Sequence, residues 1–128
     1  MKSHFVDTNY FLRFILKDNK AQFNEAYELF KTAALGDVKL ITSEIVFFEI
    51  YWVLESFYSQ KKSKHLSVLH KILKMGFVEI SNREVLRSAL KLYKNVSVEL
   101  EDCYNIIYAK VNDCDKLASF DKKLLRLY

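Results

Sequence analysis

The sequence predicts an α/β protein: a central parallel sheet of about four strands, covered by helices. Three observations predict it. Short segments near 4–7, 38–41, 77–80 and 116–119 have strand character. Longer stretches between them carry apolar residues at helical spacing. Brief apolar strands alternating with helices are the pattern of a buried parallel sheet.

The elements follow in order. Residues 4–7 form the first strand, and a helix runs near 9–17. Phe23, Ala26, Tyr27, Phe30 and Ala34 share one face of a helix over 20–35, which Gly36 ends. Val38–Ile41 is the second strand. Thr42 or Ser43 then caps a long helix reaching about 57. A helix over 61–75 carries Leu66, Leu69, Ile72 and Leu73, and Gly76 stops it. Phe77–Ile80 is the third strand, and Ser81 or Asn82 caps a helix to about 94. One more helix spans 98–113, Lys116–Ser119 is the fourth strand, and 121–127 is a short terminal helix. The chain has no proline, low-complexity stretch or internal repeat, and nothing resembles a linker, so 1–128 reads as one domain.

With 128 residues, 51% of them hydrophobic, and a mean hydropathy of −0.06, the composition is that of a soluble globular protein. No apolar run approaches the ~20 residues that span a bilayer. The opening Met-Lys-Ser-His-Phe-Val-Asp lacks a signal peptide's apolar core. A cytoplasmic protein with no membrane association is expected. If Cys103 and Cys114 lie on one helix, their separation is ~16 Å, too far for a disulfide. The histidines show no zinc-ligand spacing, and His65 and His70 are expected at the solvated surface. The net charge is +4. Between Ser56 and Val78 there is no acid, while Lys61, Lys62, Lys64, Lys71 and Lys74 all fall there. Such a segment could contact a nucleic-acid backbone or simply form a basic solvated face. Gly-rich phosphate loops are excluded, because the only glycines are Gly36 and Gly76.

Four acids stand out. Glu49 lies inside the apolar run Ile45–Leu54, and no lysine or arginine occupies its i±3 or i±4 positions. Burying an unpaired carboxylate is costly, so a cation or a specific partner is expected there. Asp7 follows Phe5-Val6, Asp102 lies among Leu100, Cys103, Ile106 and Ile107, and Asp121 follows the segment containing Leu117-Ala118. Bland roles exist: Asp7 and Asp121 could cap helices, Asp102 could complement a helix dipole, and Glu49 could pair with a distant base. Asp102 shares a stripe with Ile106 and Ala109, whereas Glu101 shares one with Asn105, Tyr108 and Asn112 that looks solvated. Asp102 is therefore the better ligand. In parallel α/β sheets ligands bind beyond the carboxyl ends of the strands, where Asp7 and Asp121 fall. Such oxygen donors suit Mg²⁺ or Mn²⁺, and the chemistry suited to them is phosphodiester hydrolysis.

Phe5-Val-Asp-Thr-Asn9, Thr42–Leu54, Leu100–Lys110 and Leu117–Leu124 are four blocks that, in this order, resemble the PIN domain family. Within it they resemble the VapC toxins of type II toxin–antitoxin systems. The resemblance implies a three-layer α/β/α sandwich and a Mg²⁺- or Mn²⁺-dependent endoribonuclease. It implies Asp7, Glu49, Asp102 and Asp121 as the acidic quartet, with Asn9 and Ser119 in support. It also implies an RNA substrate, a cognate antitoxin and a homodimer. Lys61, Lys62 and Lys64 are candidate nucleic-acid contacts. Two departures are Cys103 in place of a small residue, and an end at Tyr128 where many relatives add a fifth strand. The alternatives are an RNA-processing nuclease without an antitoxin and a PIN-like module that binds RNA or protein without cutting. A phosphoryl-transfer domain is disfavoured, because Asn9 stands where a phosphatase needs a second Asp.

Overall fold

The computed structural model describes residues 1–58 and 61–128. They fall into two compact units, Met1–Ser81 and Asn82–Tyr128. The first unit holds β1 (Ser3–Phe5), α1 (Thr8–Leu16), α2 (Lys20–Ala34), β2 (Lys39–Thr42), α3 (Glu44–Phe57), α4 (Lys62–Leu73) and β3 (Val78–Ile80). The second holds α5 (Arg83–Tyr93), α6 (Leu100–Val111) and α7 (Lys122–Leu127).

The sheet is parallel, in the order β1-β2-β3, with Phe5 opposite Ile41 and Thr42 opposite Ile80. The expected α/β class therefore holds, with three strands among the described residues instead of about four. Alternation along β2 buries Leu40 and Thr42 and exposes Lys39 and Ile41. A sheet buried on both faces was the expectation for these brief apolar strands, and in β1 the exposed His4 and Phe5 depart from it as well.

Local chemistry sets the boundaries. Gly36 adopts φ +85°, and its N–H and that of Asp37 return to the Ala33 and Thr32 carbonyls. That is a Schellman stop for α2, in a conformation glycine takes without strain. Ser43 caps α3 by accepting the Val46 N–H at 3.3 Å. Asn82 takes the position before α5 in the left-handed region, without a side-chain capping bond. The core of the first unit is aromatic. Phe30 lies 5.6 Å from Phe11, 5.0 Å from Phe14 and 5.7 Å from Phe77, ring centre to ring centre. These are the offset and edge-on separations that aromatic pairs favour.

The expected strand at Lys116–Ser119 does not form. Asp113, at φ 56°, ends α6, with its N–H bonded to Lys110 and that of Cys114 bonded to Ala109. The Tyr128 hydroxyl donates to the Cys114 carbonyl, and the Lys110 ammonium lies 5.7 Å over the Tyr128 ring. These contacts gather the last residues against the end of α6. A four-residue segment whose only apolar side chains are Leu117 and Ala118 has little to hold it extended without a ladder partner. Cys114 lies beyond α6, so the two cysteines do not share one helix. Both cysteines are free, Cys103 buried and Cys114 exposed. Among the described residues no helix is long and apolar enough to cross a membrane.

Candidate active site

In the first unit the carboxyl edge of the sheet positions Asp7. The Val6 N–H extends the ladder to the Ile41 carbonyl at 2.8 Å, and the Thr42 hydroxyl donates to the Val6 carbonyl at 2.8 Å. Asp7 follows at once and caps α1, its Oδ1 accepting the Thr8 N–H at 2.8 Å. Thr8 is buried, and its hydroxyl has no hydrogen-bond partner among the described residues. Unsatisfied buried hydroxyls are uncommon, and a water or an ion is the usual partner of such a group.

Glu49 lies on α3, which leaves the same edge of the sheet from its cap at Ser43 and packs against α1. Its side chain is half-buried, less enclosed than its apolar sequence neighbours imply. The alternative of a structural ion pair finds no support, because no basic side chain among the described residues pairs with Glu49. Asn9 turns toward a cleft with Tyr10, Arg13, Gln22 and Glu25.

In the second unit Asp102 stands in the first turn of α6 and is half-buried. Burial raises its pKa above the ordinary carboxylate value. A hydrogen bond from the Glu99 backbone opposes the shift, while repulsion from Glu101, Asp121 and Glu99 adds to it. Asp121 is exposed and caps α7, Oδ1 accepting the N–H groups of Lys123 at 2.9 Å and Leu124 at 3.4 Å. The Ser119 hydroxyl accepts the Asp121 N–H at 3.0 Å and so fixes the turn that presents the acid. Glu101 corrects the expectation of a solvated side chain: it is half-buried, with Oε1 shielded from water.

Asp7 and Glu49 thus belong to one unit, Asp102 and Asp121 to the other. Among the described residues no group of three or more His, Cys, Asp or Glu side chains could hold a metal ion. The donors themselves fit a hard divalent cation, since carboxylate and hydroxyl oxygens are the ligands such ions select. Burial and neighbouring acids disfavour the charge on Asp102, and in the other unit the Thr8 hydroxyl beside Asp7 has no partner among the described residues.

The PIN domain family model matches residues 4–128. This chain belongs to the PIN domain family. Comparison with curated proteins and with solved structures gave no match. PIN domains have a nuclease-type fold, and their nucleases typically use divalent metals. The match spans the blocks containing Asp7, Glu49, Asp102 and Asp121.

Of the basic residues, Lys61 precedes α4 without a side-chain capping bond, Lys62 is half-buried, and Lys64 and Lys71 are exposed on one face seven residues apart. Lys71 also lines an aromatic cleft with Lys17, Phe14, Phe23 and Tyr27 in this PIN domain. His65 corrects the surface expectation. It is buried at 2% exposure, with Nδ1 3.4 Å from Glu55 Oε1 and Nε2 3.2 Å from the Tyr58 carbonyl. Sequence reasoning took Thr42 only for a helix cap and missed its bond to Val6. It also missed the cleft beside Asn9, although Tyr10 and Arg13 are spaced to share one face of α1.

Proposed function

We propose that this PIN domain is a Mg²⁺- or Mn²⁺-dependent endoribonuclease, a single domain over residues 1–128. Asp7, Glu49, Asp102 and Asp121 would hold the ion. When bound, the metal lowers the pKa of a water and stabilises charge on the leaving oxygen. Asp7 stays fixed by its cap and by the Thr42–Val6 bond behind it. Ser119 keeps the Asp121 turn in place. Lys64 and Lys71 would attract the RNA backbone. The observation that carries the reading is the family match over residues 4–128, which takes in all four acids; burial and the neighbouring Glu101, Asp121 and Glu99, which raise the Asp102 pKa, agree with it.

Purified Asp7→Asn and Glu49→Gln proteins should cut RNA at least about a hundredfold more slowly than wild type, a loss typical of removing one charge-stabilising group. Their circular dichroism should be unchanged. Wild-type rates in a folded variant, with contaminating nuclease excluded, would remove these residues from the site.

The VapC-like role completes the proposal: a toxin that acts as a homodimer in the cytoplasm and is inhibited by a cognate antitoxin. Expression of the wild-type chain should arrest growth, and Asp7→Asn should not. Absence of arrest despite RNA cleavage would favour an RNA-processing nuclease. A non-catalytic binding module is the second reading, favoured by the lack of a ready metal cluster among the described residues. Calorimetry with Mn²⁺ at millimolar concentration separates the two, since the binding module predicts no heat of site binding.

A further inference from the structure

A polar cleft of about 170 Å³ opens between α1 and α2, lined by Asn9, Tyr10, Arg13, Gln22 and Glu25. It is smaller than the ~300–1,000 Å³ of pockets that enclose drug-sized ligands, so it suits one planar base rather than a whole nucleotide. Its position is informative. The Tyr10 N–H donates to the Asp7 carbonyl at 3.2 Å, so Tyr10, at the near end of the cleft, is about one helical turn, ~5.4 Å of rise, along the chain from Asp7. That is the reach from a phosphate to a neighbouring base.

The hydrogen-bonding groups in the cleft are only partly used. Arg13 donates from Nε to Gln22 Oε1 at 2.9 Å, and from Nη1 to both oxygens of Asp18 at 2.9 Å. Its Nη2 donors are not engaged in these bonds. The Tyr10 hydroxyl donates to Glu25 Oε1 at 3.2 Å, which leaves Oε2 as an acceptor. Burial and then Glu25 raise the Tyr10 pKa, keeping the phenol a donor. The Asn9 amide and the Gln22 NH₂ add further capacity.

We propose that this cleft receives the guanine of a single-stranded RNA nucleotide adjoining the bond aligned at Asp7. Guanine presents two adjacent donors, N1–H and the 2-amino group, beside the O6 acceptor. One carboxylate can accept from both donors while a guanidinium donates to O6. Adenine, cytosine and uracil lack that adjacent donor pair. Sequence-specific RNA recognition reads such edges on unstacked bases. The alternative is that the same bonds serve only to hold α1 against α2.

The proposal rests on the ribonuclease reading, and the test separates the two. Metal-free ¹⁵N-labelled full chain is titrated with GMP, AMP, CMP and UMP. GMP should shift the Asn9, Tyr10, Gln22 and Glu25 amides saturably and bind about ten- to a hundredfold tighter than the others, the discrimination expected of a bidentate base contact. Glu25→Gln keeps an acceptor for Tyr10 but should lose at least that preference, with an otherwise unchanged spectrum. Asp7→Asn should bind GMP as wild type does. Equal affinity for all four nucleotides, or shifts elsewhere, would overturn the proposal even if the chain cuts RNA. Selective GMP binding without RNA cleavage would support the base pocket and sink the nuclease reading.

Discussion

Thr42 and Val6 are joined by a buried hydrogen bond of 2.8 Å, which fastens the end of β2 to the residue that carries Asp7. The bond crosses 36 residues of chain and closes the sheet edge from which α1 and α3 depart. A buried carbonyl that loses its donor costs about 1–3 kcal/mol. Thr42→Val keeps the side-chain volume and removes the hydroxyl, so urea unfolding should show a loss of about 1–2 kcal/mol. Thr42→Ser should retain most of the stability. A Thr42→Val protein as stable as wild type would show that the bond contributes nothing.

Asp102 links stability to pH and to metal. Its folded pKa is raised, so its favourable contribution is complete below the ordinary carboxylate pKa and fades as pH rises through the folded value. Where the group is ionised, the folded state holds that charge less favourably than the unfolded chain does. Asp102→Asn should therefore melt slightly higher than wild type without metal at pH 7, by roughly 2 °C after allowance for solvent screening. The difference should vanish near pH 3. Millimolar Mn²⁺ should reverse the order, because a ligand at a hundredfold its Kd adds about 2.7 kcal/mol to the species that binds it. Scanning calorimetry with and without Mn²⁺ checks both signs.

The legible and illegible parts of the sequence divide along a physical line. The three strands that formed and most helices were legible because periodicity and caps are local: Ser43, Gly36 and the Phe30 stripe act within a few residues. Lys116–Ser119 was misread because a strand needs a partner, and periodicity carries no information about one. Asp7 and Asp121 stood out as acids following apolar segments, and both are also caps. Glu101 was misplaced by a stripe argument that considered α6 alone. His65 was hidden for the same reason, since its partners belong to α3 and the residue that follows it.

His65 decides how α4 is held. Nδ1 faces Glu55 and Nε2 faces the Tyr58 carbonyl, both from the end of α3. A surface histidine would tolerate replacement within about ±0.5 kcal/mol. Buried as it is, His65→Ala should cost about 2–4 kcal/mol through lost packing and an unsatisfied carbonyl. His65→Phe restores volume but not the donors, and should recover only part. Equilibrium unfolding of the two variants separates packing from hydrogen bonding.

Phe30 is the aromatic hub of the first unit, touching Phe11 and Phe14 of α1 and Phe77 just before β3. It ties α2 to elements distant in sequence, and with them the wall of the cleft that carries Gln22 and Glu25. Truncating a buried phenylalanine typically costs about 3–5 kcal/mol. Phe30→Ala should fall in that range and Phe30→Leu well below it, because leucine refills much of the space but forfeits the ring contacts. Tyr27, on the same helix, is 45% exposed. Tyr27→Ala should therefore cost under about 1 kcal/mol despite removing a ring of similar size. The contrast is measurable by urea unfolding. Equal losses at positions 27 and 30 would mean that α2 is anchored by its whole apolar face and not by the ring cluster around Phe30.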